Sequence, residues 1–360
     1  MNKARNDRMD YFKGILMLGV ILGHTITALK GGETLSVDIH TFVRTYDMPF
    51  FMLISGLFLA KSVDKYVPWK NILNKLSSIM VPLLLWNTVF YICKLAISFV
   101  LGNDVTVSVW DYLLSMAGGS WFLWSATACS CMMIAICGIF KRPGARLAVS
   151  VAVSLALLFV PMDTWNLAFM FPFYAVGFFT EWVISKMSEK CVAVLQGLSV
   201  VAFIVLWCFW DSKYNVWNAG SYLLGGETLA TATAVLFRFA IGLTGCIAMS
   251  VVFDILLKGT HPFMRWINKE LIAVGSNTLI IYLFQGFVIE YLLAKIIPIA
   301  AEKLSFNPFT FNADLLGYIL APVIAFVCMI VLNRIIIAMK KIPLVGSYIF
   351  GFKAINANKK

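Results

Sequence analysis

Charged side chains are scarce in this chain. Asp, Glu, Lys and Arg supply 13% of its 360 residues, about half the ~25% of a soluble domain, which excludes an ordinary water-covered globule. Long hydrophilic stretches are missing as well: the longest connection between apolar runs is about 18 residues, too short for a soluble domain. No ten-residue segments of alternating polarity occur, which excludes a membrane β-barrel. The eight cysteines, at 93, 129, 131, 137, 191, 208, 246 and 328, lack zinc-site or redox spacing and sit in or beside apolar runs. They read as small hydrophobes, so neither a metal nor a disulfide framework is expected. No internal repeat stands out, which counts against transporters built from two related halves.

What is abundant is apolar sequence: 61% of residues are hydrophobic and the mean hydropathy is +0.86. Ten segments of about the length that crosses a ~30 Å hydrocarbon layer recur, at 11–29, 43–60, 79–101, 121–140, 146–161, 165–184, 192–210, 229–257, 272–297 and 315–339. The fold class expected is therefore all-α: a polytopic integral membrane protein of about ten transmembrane helices, one domain over 1–360. The basic, then apolar N-terminus resembles a secretory signal, but no small-x-small cleavage site follows, and it reads as a retained first helix.

The net charge of +11 is mostly topology. Lys3, Arg5 and Arg8 precede the first segment, and Lys61, Lys65, Lys70 and Lys75 follow the second. Further basic groups fall in alternate loops and in the tail, against Lys30, Arg44, Lys213 and Lys303 in the opposite loops. This alternation predicts both termini in the cytoplasm. It gives no sign of nucleic-acid binding, although a basic cytoplasmic face suits an anionic cofactor. Two external connections, 30–46 and 211–228, mix Gly, Asn, aromatic and charged groups, which suits either sugar faces or the membrane interface.

Ionisable groups inside a membrane are functional candidates, because each needs a partner or a task. The first segment holds the best set. Lys13 and His24 lie eleven residues apart, about 16 Å along a helix and within about 20° of the same face. Asp10, three residues before Lys13, is placed to pair with it. A neutral imidazole next to a hydroxyl is what a general base requires. His24 is the only histidine expected in the membrane, with His40 and His261 in loops. In the second segment Pro49 and Ser55-Gly56 leave room for close backbone approach or a narrow passage. Trp121 and Trp124 open the fourth segment, while Ser276, Asn277, Tyr282 and Gln285 mark the ninth. Arg238 and Lys94 are further charges in apolar runs.

Together, "DYFKGI" and "GH" in the first segment, "MPFFMLISG" in the second, "WFL" in the fourth and "GSNTLIIYL" in the ninth resemble the membrane-bound acyltransferase-3 family, in the right order along the whole chain. The closest likeness is to its bacterial sugar O-acetylase branch. The resemblance implies ten membrane helices, acetyl-CoA or another acyl-CoA as donor, and an extracytoplasmic or lipid-linked glycan as acceptor. It also implies a bacterial inner-membrane location in the service of cell-envelope polysaccharide. A basic residue, ten positions and a catalytic histidine match Lys13 and His24. The chain departs where family members carry histidines, having Asp47 before "MP" and Gln285 after "YLF".

The expected reaction is acyl transfer to a sugar hydroxyl, with His24 as general base and Lys13 and Asp47 as catalytic partners. Lys13, Ser55, Gly56, Lys61 and Arg142 are the expected donor-binding residues, joined by Lys65 and Arg265 as looser candidates. Asp47, Trp121, Asn277, Tyr282 and Gln285 are the expected acceptor-binding residues, and no metal site is expected. Direct transfer is the simpler route and an acetyl-histidine intermediate its variant. The rival class is a transporter or flippase for glycans or small solutes, which explains the helices but not the ordered motifs.

Overall fold

The computed structural model describes residues 6–29, 38–102, 107–160, 165–225, 228–296 and 316–342. Residues 30–37 of the first external connection, Lys303 and the basic tail from 343 lie outside these residues. Among those described, every regular element is helical. In chain order the helices are α1 (Asp7–Leu29), α2 (Asp38–Ala60), α3 (Pro68–Lys75), α4 (Val81–Val100), α5 (Val109–Gly118), α6 (Trp121–Ile139) and α7 (Pro143–Leu157). Then follow α8 (Leu167–Ile184), α9 (Glu189–Cys208), α10 (Ala219–Gly225), α11 (Thr228–Leu257), α12 (Pro262–Gly275), α13 (Thr278–Gln285) and α14 (Ala321–Lys340).

Each of the ten apolar segments contains a helix. Nine described helical spans are long and apolar enough to cross a membrane, and α7 is a shorter apolar helix. At ~1.5 Å per residue, α7 is about 22 Å long, short of a ~30 Å core. The chain is an all-α, multi-pass membrane protein.

The chain divides into two compact units. The first takes Met1–Arg44, Val81–Ser120 and Leu256–Lys360. In it α1 packs along α12 and α14, with α13 against α4 and α14. The contact between α1 and α12 is made by backbone. A Cβ on Gly14 would lie 2.1 Å from the Leu271 carbonyl oxygen, and one on Gly275 would lie 1.7 Å from the Asp10 carbonyl oxygen. Small residues are how membrane helices approach this closely. Past α13 the chain widens into a π-helical stretch, Gly286–Leu293, and another, Leu316–Leu320, leads into α14.

The second unit takes Thr45–Met80 and Trp121–Ile255. Helix α6 packs on α3, α7 and α8, and a second reciprocal glycine contact joins α2 to α8. A Cβ on Gly56 would lie 2.0 Å from the Tyr174 carbonyl oxygen, and one on Gly177 would lie 1.9 Å from that of Leu53. The space beside Gly56 is filled by the α8 backbone, so it is a packing position and not a passage. Ser55 turns its hydroxyl back to the Phe51 carbonyl at 2.8 Å.

Two readings of the connections are corrected. Residues 38–46 are not loop but the first turns of α2, which continues the helical spacing of its apolar residues upstream of Pro49. His40 therefore lies in a helix and is buried, while His261 caps α12, its Nδ1 accepting the Phe263 N–H at 3.3 Å. The 211–228 connection is likewise structured, with a 3₁₀ turn at Ser212–Tyr214 and α10. Asp211 heads that turn: its carboxyl accepts the Lys213 N–H, and this bond holds it below the ordinary carboxylate range.

Candidate active site

The histidine near the C-terminal end of α1 has a carboxylate partner. His24 Nδ1 lies 2.9 Å from Glu290 Oε1, and the two side chains are 36% and 47% exposed. Glu290 comes from the π-helical stretch after α13, and such wide turns recur at functional sites because they re-aim side chains. An imidazole whose Nδ1–H is held by a carboxylate presents Nε2 as its proton acceptor. The imidazole is partly exposed and not sealed in the core. Glu290 escaped the sequence reading, although a lone acid in the apolar run "GFVIEYLLA" is the same kind of signal that singled out His24.

A second imidazole adjoins the first. His40 packs on Gly23, the residue before His24: a Cβ there would lie 2.5 Å from His40 Nε2. One turn earlier, Gly19 receives Val43 in the same way, at 2.6 Å. The two glycines, four residues apart on α1, thus seat two α2 side chains three residues apart. The expectation of a lone membrane histidine is corrected. The 30–46 connection does not hold His40: α2 carries it and seats it against Gly23, beside His24.

At the other end of α1, Asp10 Oδ1 and Lys13 Nζ pair at 2.7 Å, as the i,i+3 spacing predicted. Asp10 is buried, and its backbone abuts Gly275 at the end of α12. Asn277, two residues on, donates to Asn333 Oδ1 of α14 at 2.7 Å and accepts from Lys340 Nζ. Tyr282 and Gln285, deeper along α13, are buried. Glu270 of α12 is buried and paired with Arg334.

Of the remaining donor- and acceptor-binding candidates, Arg265, exposed on α12, belongs to the first unit and the others to the second. Asp47 is buried, and its Oδ1 accepts the N–H of Met48 at 2.6 Å. Two residues on, Pro49 has no N–H to give the Thr45 carbonyl. Arg238 replaces that bond, donating from Nη1 to Thr45 O at 2.8 Å. Arg238 is 1% exposed, and its guanidinium lies over Phe169 and Trp217, at 4.7 and 5.0 Å from the ring centroids. The charge that the sequence left unexplained therefore completes a proline-broken helix. Trp121 packs edge-on against Trp217, and Trp124 stacks on Trp165. Lys61 pairs with Glu181 at 2.8 Å, and Arg142 is exposed at the start of α7.

The acyltransferase domain family (acyltransferase-3) matches residues 6–337, which takes in every helix but the last turn of α14. The chain belongs to this family. The acyltransferase is also 25% identical over 299 residues to nodulation protein NolL of Sinorhizobium fredii, covering 79% of this chain and 78% of that protein. No solved structure matches it. Its class requires an acyl donor and an acceptor, so the polar groups above belong to an enzyme. Among the described residues no group of three His, Cys, Asp or Glu side chains is placed to hold a metal ion.

Proposed function

We propose that this acyltransferase moves an acyl group, acetyl above all, from acyl-CoA to a hydroxyl of a cell-surface or lipid-linked sugar in the bacterial inner membrane. His24 is the general base and Glu290 fixes its tautomer. The observation that carries this reading is the 2.9 Å contact between His24 Nδ1 and Glu290 Oε1, with both groups partly exposed. As the sugar oxygen attacks the thioester carbonyl, His24 Nε2 takes the hydroxyl proton, and Glu290 stabilises the imidazolium that forms. The proton then goes to the departing thiolate, which leaves as CoA–SH. Base catalysis of this kind contributes typically 10²–10⁴-fold.

The sugar acceptor is supported by the ordered family motifs, and the nodulation protein among its relatives is compatible with it. Lys13 lies about 16 Å from His24 along α1, and Asp10 about 21 Å, separations on the scale of an extended phosphopantetheine arm. This makes the Lys13 end the natural place for the donor's charged part.

Membranes carrying the protein are to be incubated with radiolabelled acetyl-CoA and extracted glycan. Label is expected in the glycan with wild type and to fall by at least about 10²-fold with His24→Ala at unchanged protein level. Glycan that crosses the membrane without gaining label would replace this reading with transport.

A further inference from the structure

Asparagine at the start of a helix ordinarily turns its side chain onto the helix's own first N–H groups. Asn277 does not. It stands at the N-cap of α13 with no side-chain capping bond. Its carboxamide instead reaches across to α14, donating to Asn333 Oδ1 at 2.7 Å and accepting from Lys340. Asn333 is 0% exposed, yet its Nδ2 has no hydrogen-bond acceptor among the described residues. An amide NH₂ left so in a buried site costs its full desolvation, and such groups are retained where a ligand or a water completes them.

The surroundings select the ligand's charge. Asn333 and Lys340 are seven residues apart on α14, two turns along one face. Asp10 and Lys13 of α1 flank the same break between α12 and α13, because Gly275 abuts the Asp10 backbone. Adjoining Asn333, Arg334 pairs with Glu270, whose Oε2 is buried without a donor among the described residues. The cluster thus carries Lys13, Arg334 and Lys340 against Asp10 and Glu270. To this net positive charge the uncapped start of α13 adds its dipole and its first N–H groups. Amide donors, a net positive charge and a helix N-terminus together favour an anion with several acceptor oxygens.

We infer that the α12–α13 break, with Asn277, Asn333 and Lys340, is a phosphate-binding site at the Lys13 end of the first unit. It takes a phosphate ester by Asn333 Nδ2, Lys340 Nζ and the first N–H groups of α13. Asn277 thereby moves from the acceptor side to the donor side: it holds Asn333 and Lys340 in place and does not touch the sugar. The inference rests on the acyl-CoA reading only for the identity of the ester, which would be the donor's phosphorylated end.

The test uses full-length protein in lipid nanodiscs, with desulfo-CoA and inorganic pyrophosphate as separate probes. Each is titrated against wild type, Asn333→Asp and Lys340→Gln. Asn333→Asp sets a carboxylate where a donor stood, and Lys340→Gln, at a half-buried position, is the milder variant that keeps the fold. Both probes are expected to bind wild type and to lose at least tenfold in affinity with each variant, at unchanged helix content and thermal midpoint. Lys340→Gln and Asn333→Asp proteins that fold normally and bind both probes as wild type does would overturn the site while leaving the acyl-CoA reading intact. Pyrophosphate binding that responds to the variants, with desulfo-CoA binding nowhere, would retain the site and remove CoA as its occupant.

Discussion

The two units differ in how they use buried polar groups. In the second, each prominent one repairs backbone or packing. Arg238 serves the carbonyl that Pro49 strips of its helical donor, the Tyr174 hydroxyl meets Ser130 at 2.9 Å, and Asn71 closes the turn at Val63 by a 2.7 Å bond. In the first unit, polar groups meet one another across helices and remain incomplete. Asn333, Glu270 and Gln285 each keep a buried atom without a partner among the described residues, and His24 and Glu290 pair while still partly exposed. The second unit also keeps a buried Ser125 Oγ without a partner among the described residues, and Asn268 of the first serves the Leu256 and Leu257 carbonyls, so the difference is one of concentration. A buried polar network is costly when partly satisfied, and the first unit, which gathers more such atoms together with His24 and Glu290, is where ligands are expected to complete it, with the second mainly as frame.

The largest effect that sharpens this contrast is on chemistry. Glu290→Gln keeps shape and hydrogen-bonding capacity but removes the negative charge facing His24 Nδ1, and it allows the wrong tautomer. Acetyl transfer is expected to fall by about 10²-fold or more, mostly in kcat, with the thermal midpoint unchanged. A variant that is equally slow but also unfolds early would make Glu290 a structural partner and erase the distinction between the units.

A smaller and purely structural effect is expected in the second unit. Arg238→Met leaves the Thr45 carbonyl buried without its donor, at a cost of about 1–3 kcal/mol. Pro49→Ala in the same protein returns a backbone N–H to that carbonyl, so the double variant should recover a large share of the loss. A double-mutant cycle on unfolding measures this coupling. Additive costs would mean that Arg238 is retained for another reason, such as a ligand, and the second unit would then cease to be only a frame.

Much of this was legible in the sequence because the membrane enforces it. Each of the ten apolar segments contains a helix, and nine described spans are long enough to cross, since a chain in lipid must satisfy its backbone internally. Likewise, the i,i+3 spacing of Asp10 and Lys13 is sufficient to predict their pair. The Pro49–Thr45–Arg238 arrangement was not legible, because the donor lies 193 residues from the carbonyl it serves. His40 was misplaced for a local reason: Asp38, Thr41, Arg44 and Thr45 make its surroundings look like a loop, and only the glycines of α1 explain how an imidazole can be seated there. Glu290 is visible in the sequence as a lone acid, but its partner His24 lies 266 residues away.

The smallest effect concerns a residue on which the sequence and the structure differ in emphasis. Lys61 stands in a basic connection and so reads as a donor-binding cation. In the structure its ammonium meets Glu181 at 2.8 Å, with the two side chains 37% and 54% exposed. An exposed pair of this kind is worth about 0.2–1 kcal/mol, so Lys61→Gln should leave unfolding nearly unchanged. If Lys61 serves Glu181 alone, the KM for acyl-CoA should also stay within about twofold, since a lost contact worth under 0.5 kcal/mol changes a binding constant by little more than that. A KM raised tenfold at unchanged stability would show that the lysine leaves Glu181 for the donor's phosphates. The second unit would then share in binding the donor, and the division between frame and site would have to be redrawn along α2.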